Sequence, residues 1–240
     1  MIGLGTLINI AGIILGGLVG MVCGKLITPG IQKTLLKANG VCVLFLGIAG
    51  TLEQMITVQD GRLHSSGAMM MVLSIAIGSL IGQWIDLDRR MEQFGQWLKE
   101  KTGNAKDRLF VDGFVTASLT VCIGAMAIVG AIQDGISGNY STLLTKAILD
   151  FIIICVMTAS LGKGCLFSAI PVGILQGTVT ILARSIEPIM TEAALRNLSF
   201  VGNILIFCVG ANLVWENTRI KVANMLPAIV IAVLWAFLPF

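Results

Sequence analysis

Long apolar runs alternate with short polar connectors along the whole chain. Eight runs carry few or no charged residues, and most of them approach the ~20 residues that an α-helix needs to cross ~30 Å of hydrocarbon. They cover residues 4–23, 40–56, 67–85, 114–132, 142–161, 165–183, 198–215 and 222–237. The pattern therefore predicts an all-α, polytopic bundle of about eight transmembrane helices.

Composition strengthens this prediction. The chain is 56% hydrophobic and 12% charged, with a mean hydropathy of +0.92, whereas soluble domains are roughly a quarter charged. No connector is long enough for a soluble domain, so residues 1–240 are expected to form one integral domain in the lipid bilayer. The net charge of +3 does not indicate nucleic-acid binding, because the Lys and Arg residues lie in short connectors.

The positions of these Lys and Arg residues predict the orientation. The first, third, fifth and seventh connectors hold twelve of them, and the other connectors hold three. Connectors rich in Lys and Arg stay on the cytoplasmic side of a membrane. We therefore expect cytoplasmic odd-numbered connectors and both termini outside.

Residues 86–109 form the one sizeable hydrophilic stretch. Leu87, Met91, Phe94 and Leu98 recur at i, i+4, i+7 and i+11, which is typical of an amphipathic helix. We expect this cytoplasmic connector to lie in the membrane interface as an anchor. A regulatory or lipid-binding role is the alternative.

The first apolar run has a face of small residues. Gly12, Gly16, Gly20 and Gly24 recur every four residues, a spacing that lets a second helix approach closely. Packing within the monomer is the favoured interpretation, and a dimer face in a homo-oligomer is the alternative. Asn9 is expected to cap a neighbouring backbone group rather than to bind a ligand.

Two weak internal similarities compete. Residues 15–20 resemble residues 77–82, which would relate helices 1–2 to helices 3–4 in the same orientation. Lys25 and Pro29 match Arg184 and Pro188 at an offset of 159, which would make helices 1–3 an inverted repeat of helices 6–8, as in many transporters. Similar apolar composition alone could produce either match.

The fifth predicted helix carries opposite charges inside its apolar run. Lys146 and Asp150 stand four residues apart and share one face. A charge at this depth costs ~3 kcal/mol or more unless it faces protein or water. The pair is either a structural ion pair with Lys146 snorkelling outward, or a functional site beside a wet passage. In the second case Asp150 binds a cation or a proton, and Lys146 supplies the counter-charge or anchors a substrate carboxylate.

The fourth predicted helix carries a polar stripe. Asp112, Thr116, Thr120 and Gly124 recur every four residues and would form one wall of a solute path. The alternatives are that Asp112 favours the N-terminal end of the helix dipole and that the threonines bond to their own helix.

Further polar groups occur in the sixth predicted helix. Gln176 and Thr180 share a face, and Pro171 is expected to interrupt the helix before them. Broken helices near mid-membrane expose backbone groups to solutes, although a plain proline kink is the alternative. Gln133 and Asp134, which end the fourth helix, are expected in an outer turn as an external mouth.

Motifs for catalysis or cofactor binding are missing from the sequence. It has no GxSxG, HExxH, Walker loop or GxGxxG-plus-acid arrangement. One histidine and six cysteines without a CxxC pair argue against a metal site. We therefore expect no cofactor, no metal and no enzymatic activity.

Several runs are more specific than generic apolar sequence: 112–119, 124–127, 144–150, 166–171 and 222–228. They resemble the bacterial inner-membrane proteins of the YqgA/YdfK type, and the resemblance covers essentially the whole chain. Members of this domain-of-unknown-function family are described only as membrane or transport proteins. The resemblance implies the architecture and a bacterial cytoplasmic membrane, but no substrate or site.

The sequence thus predicts a secondary transporter of a small polar or charged solute, coupled to an ion or a proton. Asp150 and Asp112 would handle the coupling ion, and Lys146 would supply the counter-charge. The path would be lined by Thr116, Thr120, Gln176 and Thr180. The alternatives are a passive channel and a membrane scaffold that transports nothing.

Overall fold

The fold was analysed in a computed structural model that describes residues 2–59, 61–215 and 219–238. The described chain is almost entirely helical. The helices are α1 Leu4–Leu26, α2 Pro29–Met55, α3 Ala68–Ile85, α4 Leu87–Lys101, α5 Phe110–Cys122, α6 Ala125–Ser137, α7 Ser141–Leu161, α8 Ala169–Ile181, α9 Ala183–Ile186, α10 Glu192–Val214 and α11 Pro227–Trp235. Short 3₁₀ turns cover Lys163–Ser168, Glu187–Ile189 and Val222–Met225.

Helix length and composition confirm the all-α, polytopic membrane bundle. Within the described residues, six helices are long and apolar enough to cross a membrane, counting Lys163–Ile181 as one of them. The bent pair α5–α6 makes a seventh span if its two halves are taken together. The shorter apolar stretch Val222–Trp235 occupies the place of the eighth predicted helix.

The connectors on either side of the second helix differ from the prediction. Most of the basic connector after helix 1 is helical: Lys25 lies in the last turn of α1, and α2 begins at Pro29 and runs unbroken to Met55. Pro29 starts this helix because its fixed φ and missing N–H suit the first helical position. After α2, the strands β1 Ile56–Gln59 and β2 Arg62–Ser65 pair antiparallel in a hairpin.

The fourth predicted helix is broken, contrary to the prediction of a continuous helix over 114–132. Helix α5 ends at Cys122, α6 begins at Ala125, and the two bend by 63°. At the break Gly124 has φ 136° and ψ 149°, a conformation that side chains rarely allow. Gly124 therefore does not share a helix face with Asp112, Thr116 and Thr120.

The sixth predicted helix is not interrupted at Pro171. Helix α8 runs from Ala169 through Pro171 and Gly173 to Ile181. Pro171 is the third residue of the helix, where an N–H would have no partner within the helix in any case. The membrane-depth break therefore lies at Gly124 instead.

The amphipathic helix α4 packs on the bundle rather than lying only on a membrane surface. Leu98 and Gly95 are buried, and the Phe94 ring meets the Phe114 ring of α5 edge-on at 5.7 Å. Trp97 stays half exposed. The apolar stripe thus serves tertiary packing.

Helix pairs of the bundle agree with the inverted repeat. Helices α1 and α8, α2 and α10, and α3 and α11 pack as antiparallel pairs. In the central pair, a Cβ on Gly47 would lie 2.6 Å from the Phe207 nitrogen, and one on Gly210 would lie 2.6 Å from the Leu44 nitrogen. Both contacts belong to one antiparallel register, as an inverted repeat requires. Any antiparallel helix pair has this property, so the inverted repeat stays a prediction.

Candidate functional site

Lys146 and Asp150 form a buried ion pair on α7. The Lys146 Nζ lies 2.6 Å from Asp150 Oδ2 and 2.8 Å from Oδ1. The residues are 7% and 3% exposed, so Lys146 does not snorkel to the surface. The i, i+4 spacing on one helix places the two groups side by side.

The ammonium has a third partner across the bundle. Lys146 Nζ donates a hydrogen bond of 2.8 Å to the carbonyl oxygen of Val121, in the last turn of α5. That carbonyl is available because the helix stops at Cys122, and the last carbonyls of a helix have no N–H partner within it. The positive charge also sits at the negative end of the α5 dipole.

Buried apolar side chains pack beside the pair. Ile13, Val121, Ile154 and Val172 are at most 1% exposed and belong to one hydrophobic cluster that joins α1, α5, α7 and α8. Val121 connects this cluster to Lys146 through its carbonyl oxygen.

Three buried polar side chains border this cluster. Asn9, Asp150 and Gln176 each stand four residues from one of its members, and the directions of α1, α7 and α8 displace all three toward the same end of the bundle. Asn9 lies against the Asp150 carboxyl. Asn9 and Gln176 are 0% and 1% exposed, and within the described structure neither atom of either amide completes a hydrogen bond. Asn9 therefore caps no backbone group, contrary to the prediction.

The row of polar groups continues to the start of α1. The Thr6 and Thr180 hydroxyls are 3.4 Å apart, and the Gly5 nitrogen donates a hydrogen bond of 3.0 Å to Asp134 Oδ2. Asp134 is fully buried on α6, so the prediction of an outer turn at this position is wrong. Sequence reasoning missed it because the fourth helix continues to Ser137 instead of ending at 132.

The start of the predicted polar stripe on α5 lies at a cavity of about 290 Å³, which we call the vestibule. Asp112 and Thr116 line it beside Asp88, Arg219 and Trp215. Asp112 is exposed and has no hydrogen-bond or ion-pair partner among the residues that the structure describes. It lies nine residues before Val121, roughly 13 Å along the helix axis. Asp112 and Asp150 are therefore separate sites.

The vestibule stops short of the ion pair. Thr120 is buried, and its hydroxyl donates to the Thr116 carbonyl oxygen at 2.8 Å, the local bond that was the alternative to a path role. Among the described residues that line the vestibule, neither Lys146 nor Asp150 occurs. The pair therefore does not face a wet passage in this conformation.

Charged side chains close the rim of the vestibule. Arg219 pairs with Glu92 and lies 3.9 Å from Asp88 Oδ2. Burial raises the pKa of the Asp88 carboxyl above its ordinary value, while Arg219 opposes the shift and Glu92 adds to it. The Asn224 Oδ1 accepts a hydrogen bond of 2.7 Å from the Asp88 nitrogen, which fixes α4 to the start of the last span.

The glycine face of α1 packs on α7 within the monomer. A Cβ added at Gly12 would lie 2.9 Å from the Ala147 carbonyl oxygen, and one at Gly24 would lie 3.0 Å from that of Ala159. Gly16 and Gly20 approach Phe151 and Cys155 in the same way. The alternative of a dimer interface on this face is wrong, because α7 already covers it.

The comparisons with known proteins agree with this architecture. The chain is 29% identical over 227 residues to the "Uncharacterized membrane protein YdfK" of Bacillus subtilis (strain 168), covering 95% of this chain and 93% of that protein. It is 26% identical over 233 residues to the "Uncharacterized protein YqgA" of Escherichia coli (strain K12), covering 95% and 94%. No solved structure matches the chain. A family model matches residues 4–237, and the chain belongs to that family, described as "Protein of unknown function (DUF554)".

Proposed function

We propose that this protein is a secondary transporter of a small polar or charged solute, not an enzyme. It would sit in the bacterial cytoplasmic membrane as a multi-pass protein with both termini outside. One observation carries the proposal: a buried Lys146–Asp150 pair is held against a backbone carbonyl that a broken helix leaves free.

Transporters bind ions and solutes with such elements. Discontinuous helices near mid-membrane present free carbonyls and helix ends to the cargo. A lysine and a carboxylate at this depth are costly, and in membrane proteins such charges mark ion pathways. The antiparallel packing of α2 on α10 is what an inverted repeat requires, and in transporters with such repeats alternating access is a motion of one repeat against the other.

The surroundings of the pair suggest a closed conformation of such a cycle. The vestibule approaches from the end that the charge pattern makes cytoplasmic, and the last turn around Thr120 separates it from Lys146. On the opposite side, the row from Asn9 to Asp134 offers buried polar groups for an outward route. Opening one side at a time would expose Asp150 alternately.

The two alternatives make different demands. A passive channel needs a continuous wet pore, and the buried pair gives no support to one. In a scaffold the ion pair would only stabilise helix packing. A separate measurement of stability therefore distinguishes this alternative.

The test uses purified protein in liposomes with radiolabelled or dye-detected probes: protons, sodium, amines, amino acids and carboxylates. We expect saturable flux of at least one probe. Asp150→Asn and the double variant Lys146→Met/Asp150→Leu should both abolish it, and Glu100→Gln, at an exposed acid on α4, should leave it unchanged.

Stability separates transport from scaffolding. Removing one partner of a buried pair typically costs about 3–5 kcal/mol, whereas replacing both partners by apolar residues of similar volume is often nearly neutral. The double variant should therefore keep a near-wild-type melting temperature while transporting nothing. Unchanged flux in that variant, or no saturable flux from folded wild type for any probe, would refute the proposal. Unitary currents would indicate a channel instead.

A further inference from the structure

The Lys146 ammonium fills a site made of oxygen atoms. Asp150 Oδ1, Asp150 Oδ2 and the Val121 carbonyl oxygen surround Nζ at 2.6–2.8 Å. All three are acceptors, and the Asp150 carboxylate supplies the single negative charge that balances one cation. The side chain thus acts as a cation tethered to α7.

Two more oxygen atoms lie beside this site without partners. Asn9 lies against Asp150. Gln176 lies on α8 between Gly173, which meets Ile10, and Thr180, which meets Thr6, so it packs on α1 at the level of Asn9. The Asn9 Oδ1 and Gln176 Oε1 are buried and make no hydrogen bond within the described part of the chain. Buried amides without partners are destabilising, so they are expected to find partners in another state of the protein.

We propose that a sodium ion binds between Asp150, the Val121 carbonyl and the amide oxygens of Asn9 and Gln176 when Lys146 withdraws. The inference rests on the proposed transport function and names its coupling ion. A hard cation takes oxygen ligands, and the free carbonyls at the end of a broken helix are where transporters hold sodium. A single carboxylate matches a single positive charge.

The exchange conserves charge at the site. One ammonium leaves and one sodium ion arrives, so Asp150 never remains buried and unpaired. The amide nitrogens of Asn9 and Gln176 stay free to turn away as their oxygens bind the ion. Sodium therefore favours a state of the protein in which Lys146 has moved, which couples ion binding to opening.

Sodium binding can be measured in detergent without any flux. Purified protein is titrated with NaCl against choline chloride at constant ionic strength, following the melting temperature and ²²Na⁺ binding. A ligand that binds only the folded state raises the melting temperature as its concentration increases. Wild type should respond to sodium and not to choline.

Lys146→Met gives the sharpest response. This substitution removes the ammonium that competes with sodium and leaves Asp150 unpaired. The variant should therefore have a lower melting temperature in choline, and sodium should raise it again. Its sodium binding should be half-saturated at about tenfold lower sodium concentration than that of wild type. Lys163→Met, in the turn after α7, is the matched control and should behave as wild type. Asn9→Ala and Gln176→Ala in the wild-type background should weaken ²²Na⁺ binding about tenfold, whether or not Lys146→Met folds.

Equal responses to sodium and choline in wild type would overturn the inference, as would unchanged ²²Na⁺ binding in Asn9→Ala and Gln176→Ala. Stability that depends on pH and not on sodium would also overturn it, in favour of a proton. The result is independent of the transport assay: flux without sodium binding refutes this site alone, and sodium binding without flux refutes the transporter.

Discussion

Single residues without side chains decide how closely the helices of this bundle approach. Helices in lipid gain little from burying apolar surface, so their association depends on close van der Waals packing. Gly12 and Gly16 let the backbone of α7 lie directly on α1, and α7 carries Lys146 and Asp150. The position of the ion pair relative to Asn9 therefore depends on these glycines.

The substitution Gly16→Ala tests this packing. Its Cβ would lie 3.0 Å from the Phe151 Cα, a backbone atom that cannot move aside, and overpacking of this kind costs about 1–3 kcal/mol. We expect a lower melting temperature in detergent. Gly177→Ala is the matched control, because no heavy atom of the described structure lies within 4 Å of its added Cβ. Replacing a helical glycine there should be neutral or stabilising, and an equal loss in both variants would contradict the packing argument.

At the scale of elements, the broken pair α5–α6 organises the site. The end of α5 supplies the Val121 carbonyl to Lys146, while the start of α5 carries Asp112 into the vestibule. Helix α6 carries Asp134 to the first turn of α1. One interrupted span thus contacts each part of the predicted route, and its geometry depends on Gly124.

Gly124→Ala should damage both stability and transport. The residue has φ 136°, and forcing a side chain into such a conformation costs about 1–3 kcal/mol. Straightening the break would relieve the strain but remove the free carbonyl from Lys146. We therefore expect a lower melting temperature together with reduced flux or ²²Na⁺ binding.

Gly202→Ala provides the control for that substitution. It lies on α10 beside the break, and its added Cβ would make an ordinary contact of 3.5 Å with Ile123. A wild-type melting temperature and flux are expected. If Gly124→Ala behaves like this control, the break does not need glycine.

At the scale of the whole molecule, the distribution of Lys and Arg residues predicts how the bundle is oriented. Twelve of them lie in the odd-numbered connectors and three in the other connectors. Connectors rich in Lys and Arg stay on the cytoplasmic side of a membrane. The prediction of external termini can be tested from these connectors.

Cysteine labelling measures that orientation. In a cysteine-free background that still folds, a membrane-impermeant maleimide should label Ser65→Cys in the hairpin of intact cells. Asn104→Cys, in the connector after α4, should be labelled only after permeabilisation. The reverse pattern would place both termini in the cytoplasm and exchange the two sides of the proposed route.

The sequence predicted the ion pair but not its environment. Lys146 and Asp150 were paired from their spacing alone, because i, i+4 proximity is a local property of a helix. The sequence predicts one path for Asp112 and Asp150, yet more than two turns of α5 separate Asp112 from the ion pair. Local polarity predicts an outer turn at Asp134, whereas tertiary packing on α1 buries this residue.

What the sequence determined by itself is the class of the molecule: a membrane helix bundle of the DUF554 family, with a charged pair inside one span. These properties follow from run length, composition and helical period, all of which act over a few turns of chain. Only the tertiary structure decided that the fourth span breaks at Gly124, that the Val121 carbonyl meets Lys146, and that Asn9 lies against Asp150. Those contacts join residues 25 or more positions apart, and no local pattern encodes which helices become neighbours.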